Sequence, residues 1–158
     1  TSGRGFADAT ALEALAASDA PGYPNFILTD VTPFDWRSDN NNNRWATASQ
    51  GPCPADYHVP TDAQWDTADA FNGGAATNGG TTVGWDNNTE TYESALKLPS
   101  AGHRNRFDGL LYDQGTYGSY WSSTVSGTTV RHLYISSSAA YTDNRIRAHG
   151  FSVRCLKD

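Results

Sequence analysis

Polar and apolar residues alternate most clearly over residues 130–136, where Leu133 and Ile135 fall on one side and His132, Tyr134 and Ser136 on the other. This period of two predicts a strand with one buried face, leaving His132, Tyr134 and Ser136 free to change without touching the core. Phe151, Val153 and Cys155 alternate in the same way against Ser152, Arg154 and Leu156. Helical signals lie nearer the amino terminus. Residues 8–17 are rich in Ala and Leu and predict a short helix, ended by the turn chemistry of Pro21, Gly22 and Pro24. Phe26, Ile27 and Leu28 predict a short strand. Residues 57–59 are extended, because Pro60 disfavours helix at Val59. A second helix is expected directly afterwards. Thr61 and Gln64 match a capping box, Trp65, Ala68 and Phe71 follow at helical spacing, and Gly73 with Gly74 ends the run. Residues 75–88 predict a long loop, and residues 90–96 a short helix or the entry to a strand. Two helices ahead of short strands and long loops indicate an α+β domain.

Composition narrows the chemistry. The length of 158 residues suits a single domain, 1–158, with a core of its own. Hydrophobic content is only 37%, so the 5 Trp and 8 Tyr must supply much of the apolar bulk. Trp36 and Trp45 flank the Asn run 40–43 and are expected to pin it to the core. A net charge of −6 argues against a nucleic-acid partner. No apolar run reaches membrane-spanning length, and no signal-peptide pattern is present. Cys53 and Cys155 form no C-x-x-C pair. They either pair across the chain, which could stabilise it by roughly 4–5 kcal/mol, or remain two buried thiols. His58, His103, His132 and His149 make no H-x-x-x-H spacing, so no metal is expected. Ser122, Ser123 and Thr124 lack a nucleophile elbow. The Asp/Asn clusters at 35–43 and 86–90 depart from an EF-hand loop and predict solvated turns. The glycines cradle no phosphate. Residues 87–89 form a glycosylation sequon, which matters only in a eukaryotic secretory host. The expectation is a protein that is not an enzyme and carries no cofactor.

The carboxy-terminal residues 96–158 show a different order. A frame of LKLP, AG, YWSST, VSGT, RA and SVRC is interleaved with positions of mixed chemistry. Together with PFDWRSDNNNNRW, CPADYHVPTDAQW, LKLPSAGHRNR, YGSYWSST and GFSVRCLKD, the chain resembles the Fibrobacter succinogenes major paralogous domain, and in particular the variable proteins of diversity-generating retroelements. The resemblance runs from about residue 32 to 158 and leaves 1–31 uncovered. It implies a C-type-lectin-like fold of the formylglycine-generating-enzyme subclass. It also implies a variable region at 96–158 in which adenines of AAY codons are rewritten, giving a hypervariable ligand-binding surface on a constant scaffold.

The positions expected to vary are Arg106, Phe107, Asp108, Leu110, Tyr112, Asp113, Thr116, Tyr117, Ser119, Thr129, His132, Tyr134, Ser136, Ala139, Tyr141, Asp143, Asn144, Arg145, Ile146, His149 and Phe151. All carry residues that an NNY codon encodes. Lys97, Gln114, Trp121 and Lys157, which it does not, stand in the frame. A β-rich region of low charge would share some of this bias. Tyr112, Tyr117, Tyr134 and Tyr141 are the expected hot spots, since Tyr combines large rigid contact area with a polar tip. Phe107, Leu110, Ile146 and Phe151 would form an apolar patch if exposed together. Trp121 is expected to anchor the core beneath the site, Gly102, Gly109, Gly115, Gly118, Gly127 and Gly150 to permit turns, and Arg147 and Arg154 to hold loops.

The calcium and sugar motifs of carbohydrate-binding C-type lectins are absent, and nothing in the sequence places Cys53 and Cys155 as an oxidase pair. The resemblance therefore implies a macromolecular ligand, a protein or cell-surface structure, and a cell-surface, secreted or virion setting, with a monomer expected. The alternative is a structural or adhesive surface module without diversification, whose corresponding positions would scatter over the surface. An enzyme of the formylglycine-generating type would need a pocket with a reactive Cys or a metal.

Overall fold

The computed structural model describes residues 26–30, 32, 34–37, 41–42, 52–70 and 85–158. The helix expected at 8–17, Trp45, Phe71 and the Gly73-Gly74 stop lie outside them. The described residues form a mixed α+β structure of two helices and three small sheets, in the order β1 (Tyr57–His58), α1 (Asp62–Ala70), α2 (Asn88–Glu93), β2 (His103–Arg104), β3 (Leu111–Tyr112), β4 (Gly118–Ser126), β5 (Thr129–Ile135), β6 (Ala140–Arg145) and β7 (Leu156–Lys157).

Local chemistry starts both helices. At α1 the Thr61 hydroxyl accepts from the Gln64 N–H at 3.2 Å, and the Gln64 side-chain oxygen accepts from the Thr61 N–H at 2.8 Å. This is the reciprocal capping box expected from the sequence. At α2 the Asn87 side chain accepts from the Thr89 and Glu90 N–H groups, and Glu90 reaches back to the Asp86 N–H and the Asn87 amide. The acidic cluster at 86–90 therefore caps a helix.

The β4–β5–β6 sheet is antiparallel. Its register sets Tyr120 beside Leu133 and Thr142, and Gly118 beside Ile135 and Ala140. That face packs with Trp65 of α1, Trp85 and Leu98 to form the core. Gly118 is required by close approach: a Cβ there would lie 2.5 Å from Ile135 Cγ1. Gly150 is similar, with Phe26 at 2.8 Å. Gly102, Gly109, Gly115 and Gly127 have positive φ and make the turns.

Residues 26–28 form no strand. Ile27 and Leu28 are buried, and the Thr29 N–H donates to the Arg106 carbonyl at 3.0 Å. The alternation over 151–156 is also not a strand. Ser152 bridges to β4, Val153 and Arg154 are exposed, and pairing resumes only at β7. The chain leaves the sheet there to reach Cys53, which is joined to Cys155 in a disulfide. Arg147 is fully buried; it pairs with Asp35 at 3.2 Å and donates to Asn42. Arg154, by contrast, is exposed.

Candidate functional site

The second face of the β4–β5–β6 sheet carries the side chains that alternate with the core. Across the strands, Ser119 lies beside Tyr134 and Tyr141, and Trp121 beside His132 and Asp143. The ring of Tyr134 stacks on Tyr117 at 5.5 Å and meets Tyr141 in a tilted contact at 5.0 Å. Gly150 pairs with Arg104 and Ser152 with β4, which brings Phe151 onto the neighbouring part of this face. Phe151 lies 4.3 Å from Trp121 and 4.9 Å from His132, ring to ring. His149 stacks on Phe151 at 5.7 Å, His103 meets His149 at 5.6 Å, and Tyr112 stacks on His103 at 6.0 Å. Tyr112, Tyr117, His132, Tyr134, Tyr141, His149 and Phe151 are thus joined in one run of ring contacts, with the frame residues His103 and Trp121 between them.

The β2–β3 loop extends this surface. Phe107 is 56% exposed, Leu110 55%, Leu111 49% and Tyr112 41%. Hydrogen bonds fix their presentation. Asn105 accepts from the Phe107 N–H, Asp108 accepts from the Leu110 N–H and the Tyr112 hydroxyl, and Arg104 donates to the Gly109 carbonyl. The Tyr112 hydroxyl, followed by the Leu110 N–H, holds the Asp108 carboxyl below the usual carboxylate range, and the same bond pushes the Tyr112 phenol up. Arg106 donates to the Thr29 carbonyl at 2.7 Å and lies over Phe107 and Phe34. Its guanidinium therefore ties the loop to residues 26–30.

The expected variable positions fall into layers. Phe107, Leu110, Tyr112, Asp113, Thr116, Asn144 and Arg145 are exposed, whereas Ser119, His132 and Ser136 are buried. Arg106, Asp108, Tyr117, Thr129, Tyr134, Ala139, Tyr141, Asp143, Ile146, His149 and Phe151 are half-buried. The alternation placed His132 and Ser136 on the correct face but not in solvent. His132 is 1% exposed because Phe151 roofs it, and the Ser136 hydroxyl turns back to the Ala139 carbonyl. Ser119 is held between β5 and Ser152, its carbonyl accepting from the Ser152 N–H at 3.0 Å. The apolar patch also differs from expectation. Phe107 and Leu110 are joined by Leu111 and Tyr112, while Ile146 and Phe151 are half-buried. Leu111 was not singled out. Its only signal is an apolar pair at Leu110 and Leu111 where a half-buried strand would alternate.

Burial dominates the electrostatics beneath the surface. Neither ring nitrogen of His132 has a hydrogen-bond partner. Burial, with Arg145, Arg131, His149 and His103 nearby, pushes its pKa down to about 3. Burial and His103 push His149 down to about 4, so both rings are neutral at pH 7. Burial raises the Tyr134 phenol, assisted by Tyr117 and Tyr141. Nearer solvent, Asp143 and Arg145 lie 3.7 Å apart, and His103 lies 3.5 Å from Asp113. Among the described residues, no group of three or more His, Cys, Asp or Glu is placed to hold a metal ion, and no helix is long and apolar enough to cross a membrane. Both cysteines are consumed by the disulfide.

Comparisons of the chain with protein-family models, curated proteins and solved structures gave no match.

Proposed function

We propose that this chain is a non-enzymatic binding protein. In this reading it has a C-type-lectin-like scaffold, with a retroelement-diversified surface built on the outer face of the β4–β5–β6 sheet and the β2–β3 loop. The ligand is a macromolecule, a protein or a cell-surface structure, contacted by aromatic anchors and adaptable polar groups. The observation that carries the reading is the continuity of the surface from Tyr141 through Tyr134, His132, Phe151 and His149 to Tyr112. Apart from Tyr141, which also packs against the core cluster, these side chains are not part of that cluster, so many of them are replaceable without disturbing the core. The disulfide suits a secreted, surface or virion setting.

One observation favours the alternative, a non-diversified structural or adhesive module: Ser119, His132 and Ser136 are buried. A display library separates the two. With Tyr112, Tyr117, Tyr134, Tyr141, Asp143 and Arg145 rewritten by NNY codons, most members are expected to stay protease-resistant and to yield clone-specific binders to unrelated proteins. Loss of the fold in most members, or no binders from a folded library, would contradict the proposal.

A further inference from the structure

The segment that carries His149 and Phe151 into the surface ends in a clasp. Beyond Ser152 it is held by the Cys53–Cys155 disulfide, by β7 pairing with β1, and by the Asp158 N–H donating to the Asp56 carbonyl at 3.0 Å. His58 of β1 closes the clasp from the side. Its Nδ1 lies 2.5 Å from an Asp158 carboxylate oxygen, and its Nε2 lies 3.0 Å from the Gln64 side-chain oxygen.

The identity of the Gln64 atom is forced. The same atom accepts from the Thr61 N–H at 2.8 Å, and a backbone N–H can only donate. It is therefore the carbonyl oxygen, and it can only accept from His58. A carboxylate faces the other ring nitrogen. Both bonds exist together only when both nitrogens carry protons, so the junction requires an imidazolium. The Asp158 bond, then the Gln64 bond, raises the His58 pKa above its ordinary 6.5, against the opposing effect of burial. The other charged groups near the junction do not face the ring. Asp62 on the first turn of α1 is engaged by Arg131 at 2.9 Å, and Asp56 and Lys157 flank the ladder without pairing to His58.

We propose that the disulfide and the His58–Asp158–Gln64 junction form a two-part latch on the carboxy-terminal strand, and that opening both parts frees residues 153–158, while residues 147–152 stay tied by the Arg147–Asp35 pair, the Arg104–Gly150 backbone pair and the bonds of Ser152 to β4. The covalent part opens by exchange with a dithiol. One thiolate attacks a sulfur of the Cys53–Cys155 bond, the second displaces the mixed disulfide, and the dithiol leaves as its own disulfide while Cys53 and Cys155 take up its two protons. The ionic part loosens by deprotonation, because a neutral ring carries one N–H and keeps only one of the two bonds. Because the folded-state value is raised, its contribution is complete below pH 6.5 and is lost as pH rises through that raised value. Either part alone keeps the strand closed.

Hydrogen exchange on the intact chain tests this, comparing oxidised protein with protein reduced by dithiothreitol and moved anaerobically to pH values from about 5.5 to 9, with intrinsic rates corrected. The oxidised chain is expected to protect residues 153–158 at every pH. The reduced chain is expected to protect them at low pH and to lose protection tenfold or more as His58 deprotonates, while residues 62–70 of α1 keep theirs. Asp158→Asn is expected to remove the low-pH protection from the reduced chain only. A tail indifferent to reduction, a reduced tail indifferent to pH, or exchange of α1 together with the tail would each overturn the latch.

Discussion

His132 shows how much one position constrains a surface. It alternates with Leu133 as a solvent-facing residue would, yet its ring is sealed under Phe151 with no hydrogen bond to either nitrogen. Burial lowers its folded-state pKa from 6.5 to about 3. The unfolded chain therefore takes up the proton first. The associated stability is complete above pH 6.5 and is lost as pH falls toward 3. Urea unfolding is expected to show about 2 kcal/mol less stability at pH 5 than at pH 8 from this residue. His132→Leu should remove that share of the pH dependence; an unchanged slope in the variant would contradict it. Arg147 is the opposite case, a buried charge with its partner. Arg147→Met removes the guanidinium from the buried Asp35 carboxylate, leaving it the Arg37 N–H, and is expected to cost about 3–5 kcal/mol in the same measurement.

At the level of elements, what was legible was local. The Thr61/Gln64 box started α1 as written, because capping needs only four residues of chain. Thr61→Ala is expected to lower stability by about 1 kcal/mol in thermal or urea unfolding. The β5 alternation correctly separated the faces of the sheet, because side-chain direction is a property of the strand itself. What was not legible depended on distant chain. Nothing in residues 130–136 reports that Ser152 will pair alongside β4 and that Phe151 will cover an outward His. The glycines divide likewise. Gly118 looked like a turn residue but is demanded by Ile135, so Gly118→Ala is expected to cost about 1–3 kcal/mol through overpacking, although its φ is not positive.

For the whole molecule, the sheet does the sorting. One face is committed to Trp65, Trp85, Leu98, Leu133 and Ile135, and the other is free to carry chemistry. The pairing of Cys53 with Cys155, left open by spacing alone, joins parts of the chain 102 residues apart. It anchors the tail that roofs the second face. The layering of that face has a genetic consequence. If its residues are rewritten copy by copy, exposed positions such as Tyr112, Asp113, Thr116 and Arg145 should accept most NNY residues. The buried Ser119, His132 and Ser136 should accept a narrower set, because large or charged side chains meet Ser152 and Phe151 at the first two and the 136–139 turn with Asn88 at the third. The most direct measurement is deep sequencing of this gene across many cells of its source population. Differences concentrated in the codons of the outer face and the β2–β3 loop, confined to NNY residues and sparse over residues 26–95, are the expected result. Identical copies, or changes spread as densely through the core strands as over the outer face, would contradict a diversified binding surface.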